Sequence, residues 1–319
     1  MPEFVTIVAY HYVRELARSR YPEIKGLDVG SFREQLGYIR RHYKVISAEE
    51  LMAAVARVRR GEPWDLPENA ALLTFDDGYS DHYRYVFPLL DEARLPGCFF
   101  PPVQAIIERK LLDVNKIHFL LASGADVRAL LREVLRKADE HRHAFEIDSE
   151  EELRVRWSRP SRYDPEEVVF LKRLLQTALP AELRSRIVAE LFAAHVTADE
   201  VAFAEELYLS SDQLRCMIRH GMYVGSHGYS HVRLGFLPAE AQAFEIDRSL
   251  EFLASLGAGV DRWILCYPYG DSNGSLLEIL RGRRCTVGLT TQPRLASSRD
   301  EPLLLPRLDT NDLPSRGVS

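Results

Sequence analysis

The chain has 319 residues, is 46% hydrophobic and carries a net charge of −6. That is enough apolar material for one large core or for a core domain with a sizeable insertion, and the acidic balance without a long basic run argues against a nucleic-acid partner. No stretch of about 20 apolar residues could span a membrane, and residues 1–8 lack the features of a secretory signal.

Four scattered cysteines, Cys98, Cys216, Cys266 and Cys285, form no CxxC pair. They read as free thiols of a reducing compartment, so a cytoplasmic protein is expected. Strand-like and helix-like segments then alternate along the chain, the pattern of an α/β fold with a mostly parallel sheet. Residues 5–10 read as a strand that ends at His11. Ser31 is expected to cap a helix over residues 32–41, with Glu34 completing a capping box. Residues 44–46 form a short strand, and Ser47 caps a second helix with Glu50 at its third position. Residues 70–75 read as a buried strand ending at Asp76, and residues 97–100 as another, closed by Pro101 and Pro102.

From residue 104 to 206 no strand pattern appears. Val127, Leu130, Leu131, Val134 and Leu135 recur at helical spacing, as do Val168, Val169, Leu171, Leu174 and Leu175. A structureless loop of about 100 residues would be unusual, so this region is expected to be a helical insertion. Within it, Asn115, Lys116 and His118 read as a solvated helix face. The alternation resumes with a helix at Ser211 and a strand over 222–225, and Pro238 opens a long helix. Residues 263–266 form a strand that runs into Tyr267-Pro268-Tyr269-Gly270, and residues 285–290 and 303–307 are the last strands. The expected organisation is a discontinuous core domain (1–103 and 207–313), the insertion (104–206) and a frayed tail (314–319).

Two short motifs carry the chemistry. In Thr74-Phe75-Asp76-Asp77-Gly78-Tyr79, consecutive carboxylates leave the end of a buried strand, where parallel α/β sheets build their sites. Neighbouring residues point in opposite directions, so one carboxylate can hold a metal while the other takes a proton; Asp-Gly is equally a common turn pair. In Ser226-His227-Gly228-Tyr229-Ser230-His231, two imidazoles four residues apart would share a face of a helical turn. Neutral imidazoles suit Zn²⁺ or another divalent transition metal, and a third ligand from Asp77 would leave a position open. His11 alone reads as a buried histidine at a strand end. Tyr267, Pro268 and Tyr269 read as a turn with aromatic packing, or as aromatic faces suited to a sugar ring.

Together these motifs resemble the NodB-homology polysaccharide deacetylases, carbohydrate esterase family four. The resemblance spans about residues 5–312 and leaves out the helical insertion. It implies a distorted, incomplete (β/α) barrel, with Asp76 as catalytic base and Asp77, His227 and His231 as metal ligands. Two departures stand out. Cys266 occupies the place of the arginine that orients the base in the family, and Arg307 is the candidate to replace it. No histidine follows His231, where the family's acid usually sits. Some exopolysaccharide deacetylases carry that acid on an early strand in a Tyr-His context, which Tyr10-His11 matches, so His11 is expected to be the general acid.

The resemblance implies a metal-dependent hydrolase that removes an N-acyl group from an amino sugar or glycan in surface-polysaccharide, O-antigen or capsule biosynthesis. The backbone N–H of Tyr79 would face the oxyanion. Two alternatives stand beside this reading. One is an O-acetyl esterase or non-sugar amide hydrolase built on the same metal site, and the other is an inactive glycan-binding module.

Overall fold

The strand β1 (Phe4–Tyr10) is buried from Val5 onward, as a parallel strand covered on both faces must be. In the computed structural model, which describes residues 4–161 and 164–313, β1 pairs in parallel with β2 (Ala70–Asp76), every residue of which is buried. The order continues in parallel through β3 (Cys98–Phe100) to β4 (Tyr223–Val224). A single bridge between Ser226 and Leu265 leads on to β5 (Trp263–Cys266), which pairs in parallel with β6 (Cys285–Leu289). A second bridge, Leu289 to Leu305, leads towards β7 (Leu308–Asp309), which lies parallel to β1.

Single bridges thus stand where a closed barrel would have full ladders. The fold is α/β, a distorted and incomplete barrel, and the C-terminal ends of its parallel strands share one rim. Inside the ring, Ile7, Leu72, Phe100, Ile264, Val287 and Leu305 belong to one buried cluster.

The described residues divide into two compact units. One comprises the described residues of Met1–Glu15, Gly26–Lys110 and Ala204–Ser319, and holds all the strands above. The other comprises Leu16–Lys25 and Leu111–Phe203. Its described residues form helices and turns with no strand, packed around Leu130, Val134, Phe170, Leu174 and Leu191. Tyr21 packs there against Phe119 and Phe203.

Several local expectations change. The first helix spans Val29–His42, and Asp28 caps it by accepting from Gly30 N–H, so neither Ser31 nor Glu34 forms the start. Asp28 already presents the carboxylate that an N-cap needs, three residues before Ser31. The Ser47–Glu50 capping box is present. Asn115 and Lys116 are buried rather than solvated, and the Lys116 ammonium lies 2.9 Å from Glu200. The stretch 303–307 is no strand: Pro302–Leu304 is a 3₁₀ turn and the strand begins at Leu308. The tail 314–319 lies outside the described residues.

Gly288 lets β6 meet this turn. A Cβ there would sit 2.1 Å from the Leu303 carbonyl oxygen, and Leu305 N–H donates to the Gly288 carbonyl at 2.8 Å. Gly288→Ala is therefore expected to lower stability by about 1–3 kcal/mol through overpacking. A urea midpoint equal to wild type would show that the turn yields freely.

Candidate metal centre and active site

The shared rim brings the two motifs together. β2 ends at Asp76, and the chain turns at once through left-handed conformations at Asp77 (φ 68°) and Gly78 (φ 65°). Gly78 is required here, because a Cβ would lie 2.7 Å from the Pro101 Cβ. Beyond β4, the segment carrying His227 and His231 is not helical, which corrects the expectation of a helical turn. The histidines converge because the loop doubles back, with His231 itself at φ 57°. Their rings are 4.8 Å apart.

The helix Ala239–Leu256 holds that loop in place. Glu245 Oε2 accepts from the backbone N–H groups of Tyr229 at 2.8 Å and Ser230 at 2.9 Å, and its other oxygen accepts from the Ser230 hydroxyl. Ser226 Oγ meets Ser249 Oγ at 2.8 Å and accepts from Gly228 N–H at 3.2 Å.

Asp77 Oδ1 is buried and has no hydrogen-bond partner among the described residues. It faces His227 Nε2 at 3.3 Å and His231 Nε2 at 3.2 Å. His227 Nδ1 lies 2.7 Å from the Cys266 carbonyl, which can only accept, so Nδ1 carries a proton and Nε2 is the nitrogen turned to Asp77. An imidazole nitrogen facing a buried carboxylate oxygen needs a cation between them, a proton or a metal ion. The donor set of one carboxylate and two imidazoles fits a divalent transition metal. The second oxygen, Asp77 Oδ2, accepts from the Tyr79 hydroxyl at 2.6 Å. Burial pushes the Asp77 carboxyl up, but hydrogen bonds and charge from the two imidazoles, where these carry the proton, outweigh it and hold the group well below the usual carboxylate range.

Asp76 is also buried, and Arg307 grips it with both arms of the guanidinium: Nη1 to Oδ1 at 3.0 Å and Nη2 to Oδ2 at 2.8 Å. Arg307 donates further to Thr74 Oγ1 and to the Thr290 carbonyl, each at 3.0 Å. The Cys266 thiol lies 3.3 Å from Asp76 Oδ2. Burial would raise the Asp76 carboxyl, and the Arg307 charge more than offsets this, so Asp76 stays ionised far below the usual range. The Arg307 guanidinium, and not a side chain at position 266, is thus the cation beside Asp76.

His11 is exposed at the end of β1, and its Nε2 lies 3.8 Å from Asp76 Oδ2. It falls outside the metal-ligating group. The aromatic turn divides. Tyr267 is fully buried and donates its hydroxyl to the Leu303 carbonyl at 2.7 Å, so its ring offers no face to a sugar; that expectation is corrected. Pro268 is buried as well. Tyr269 is partly exposed, its ring centred 5.0 Å from that of His231 with the Arg233 guanidinium over it at 4.5 Å. The Tyr79 ring is buried, which leaves only its backbone for the role expected of it.

Sequence reasoning missed the Tyr79 hydroxyl, the Cys266 carbonyl and Glu245. For Glu245 a signal existed. Gln242, Glu245 and Ser249 share the buried face of their helix with Ile246 and Leu253. A polar stripe on a core face implies polar partners inside.

Comparisons with known proteins come from sequence and fold. A polysaccharide deacetylase family model matches residues 65–152 and 180–286. Over 99 residues, 31% of this chain, it is 34% identical to the poly-β-1,6-N-acetyl-D-glucosamine N-deacetylase of Escherichia coli K12, and the match takes in 14% of that protein's length. The fold is similar to IcaB from Ammonifex degensii (TM-score 0.58, 19% identity, 98% of this chain and 94% of that one). It is likewise similar to the deacetylase PplD of Streptococcus pyogenes, solved with acetate (TM-score 0.57, 17% identity, 98% and 94%).

The purified chain is expected to bind one divalent metal ion, and His227→Ala to reduce its affinity for added Zn²⁺ by more than about 100-fold, beyond what loss of a supporting contact costs. Competition with a chromogenic chelator measures this. Equal affinity in the two proteins would place the metal elsewhere.

Proposed function

The chain belongs to the polysaccharide deacetylase family, and from that premise we propose that it is a metal-dependent carbohydrate N-deacetylase acting on an amino sugar in surface-polysaccharide or glycan biosynthesis. One observation carries the reading. A partnerless buried carboxylate oxygen faces two imidazole nitrogens, and the preceding residue is a second carboxylate held ionised by an arginine. Asp77, His227 and His231 would hold zinc or another divalent metal. Such an ion, when bound, supplies Lewis acidity towards an acyl carbonyl and brings the pKa of bound water to about 7.

The chain's own groups do the rest. Asp76 takes a proton from water as its oxygen bonds to the acyl carbon, and Arg307 keeps that carboxylate ionised and aimed. The Tyr79 backbone N–H, just past the Asp77–Gly78 turn, donates to the oxyanion. His11 protonates the amine nitrogen as the C–N bond breaks, leaving acetate and a free amino sugar. Tyr269 flanks the ligand histidines as the aromatic face for a sugar ring.

The Escherichia coli relative is named for poly-β-1,6-N-acetyl-D-glucosamine. An N-acetylhexosamine unit is the substrate class we assign, and a cytoplasmic location would place it on a biosynthetic intermediate. Acetate release from β-1,6-linked N-acetylglucosamine oligomers, nucleotide-linked N-acetylhexosamines and an O-acetyl sugar tests the reading. Release from the O-acetyl sugar alone would make the chain an esterase. No release from any would leave a binding module.

Asp76→Asn is expected to keep the metal and lose about 10²–10⁴-fold in kcat, because the amide cannot accept the proton. A rate near wild type would remove Asp76 from the base role. His11→Ala should slow hydrolysis of the N-acetyl substrate far more than that of an activated aryl ester, whose leaving group departs without protonation. Equal losses would make His11 a binding residue.

A further inference from the structure

The segment that follows the two carboxylates grips the segment that follows β1 at three points. The Tyr79 ring stacks on Tyr12 with centroids 4.0 Å apart. Asp81 Oδ2 accepts from Arg14 Nε and Nη2, both at 2.7 Å. His82 Nε2 lies 2.8 Å from the backbone carbonyl of His11. A carbonyl only accepts, so His82 Nε2 carries a hydrogen and donates it.

His82 is fully buried among the rings of Phe75, Tyr79 and Phe99, and its Nδ1 has no hydrogen-bond partner. A phenylalanine would fill that slot without burying an unsatisfied nitrogen, whose cost is about 1–3 kcal/mol in general. The one thing the imidazole adds is its bond to His11.

We propose that His82 is a positioning residue for the general acid, fixing the His11 backbone to the turn that carries Asp76 and Asp77. The inference rests on the reading of His11 as the acid. His11 is exposed and sits 3.8 Å from Asp76, so the position of its ring depends on how its backbone is anchored. A misplacement of about 1 Å can cost up to about 10²-fold in rate.

The test compares His82→Phe, which fills the slot without a donor, with His82→Gln, which returns an N–H at similar reach. Each is measured on an N-acetylglucosamine oligomer and on an activated aryl acetate, with His11→Ala alongside. The expected result for His82→Phe is a loss of about tenfold or more in kcat on the amide, with KM and the ester rate close to wild type. His82→Gln should recover much of that loss. If His82→Phe does not fold, His82→Asn, too short to reach the carbonyl, takes its place.

Equal losses on both substrates, a loss confined to KM, or no recovery by Gln would overturn the inference. So would full amide activity in His82→Phe while His11→Ala loses it selectively, and in that case the acid reading survives. If His11→Ala shows no selective loss, the acid reading falls and the positioning role falls with it.

Discussion

Two carboxylates on consecutive residues, both buried, can stay ionised together only if each meets its own positive charge. Asp76 and Asp77 satisfy that condition in different ways. Asp76 has the Arg307 guanidinium, bound through both oxygens. Asp77 has one oxygen held by the Tyr79 hydroxyl and the other turned towards two imidazole nitrogens, which offer lone pairs rather than protons when a cation is shared. The two carboxylates are thus held differently: one by a permanent protein cation, and the other by groups that could share a metal ion.

The arginine has a consequence for chemistry. A carboxylate held far below its usual range is well aimed but weakly basic. It can serve as base only towards water that has itself been made acidic, and that is the chemistry a divalent cation supplies. The Asp76–Arg307 pair and the Asp77–His227–His231 group are therefore interdependent. What matters for Asp76 is the direction from which the guanidinium arrives, not the strand that carries it. Position 266 presents a thiol to the same carboxylate, while Arg307 comes from the residue before β7. Cys266 keeps a different duty through its backbone, since its carbonyl sets which nitrogen of His227 bears the proton.

Much of this was legible in the sequence because it depends on local pattern. The buried strand ending at Asp76, the Ser47 capping box and the strand feeding Tyr267 follow from apolar runs and caps. The pairing of Arg307 with Asp76, across more than 200 positions, was accessible only as an argument about charge: a buried carboxylate needs a counter-ion, and position 266 does not supply one. What failed was inference from spacing. His227 and His231 are four residues apart, yet they meet across a loop rather than on a helical face. Tyr267 and Tyr269 look equivalent in sequence, but the strand ends at Cys266 and the turn that follows, with Tyr269 at φ 60°, leaves the Tyr267 ring in the core and the Tyr269 ring beside His231. Glu245 was missed because two of its three donors are backbone N–H groups, which leave no trace in a motif; only the polar stripe on its helix pointed to it.

The loop conformations explain why spacing misled. Asp77, His231 and Tyr269 all lie at positive φ. Asp and His tolerate that region better than most residues, whereas a tyrosine there is less common. Each such residue costs about 1–3 kcal/mol and persists only where its surroundings over-determine it. At Asp77 the constraint is the close approach of Gly78 to Pro101. In the histidine loop it is the three donors that converge on Glu245. At Tyr269 it is the Arg233 guanidinium over the ring, itself paired with Asp271. The strained backbone is thus fixed by contacts that make no use of a ligand, so the protein itself directs the donor atoms at one another.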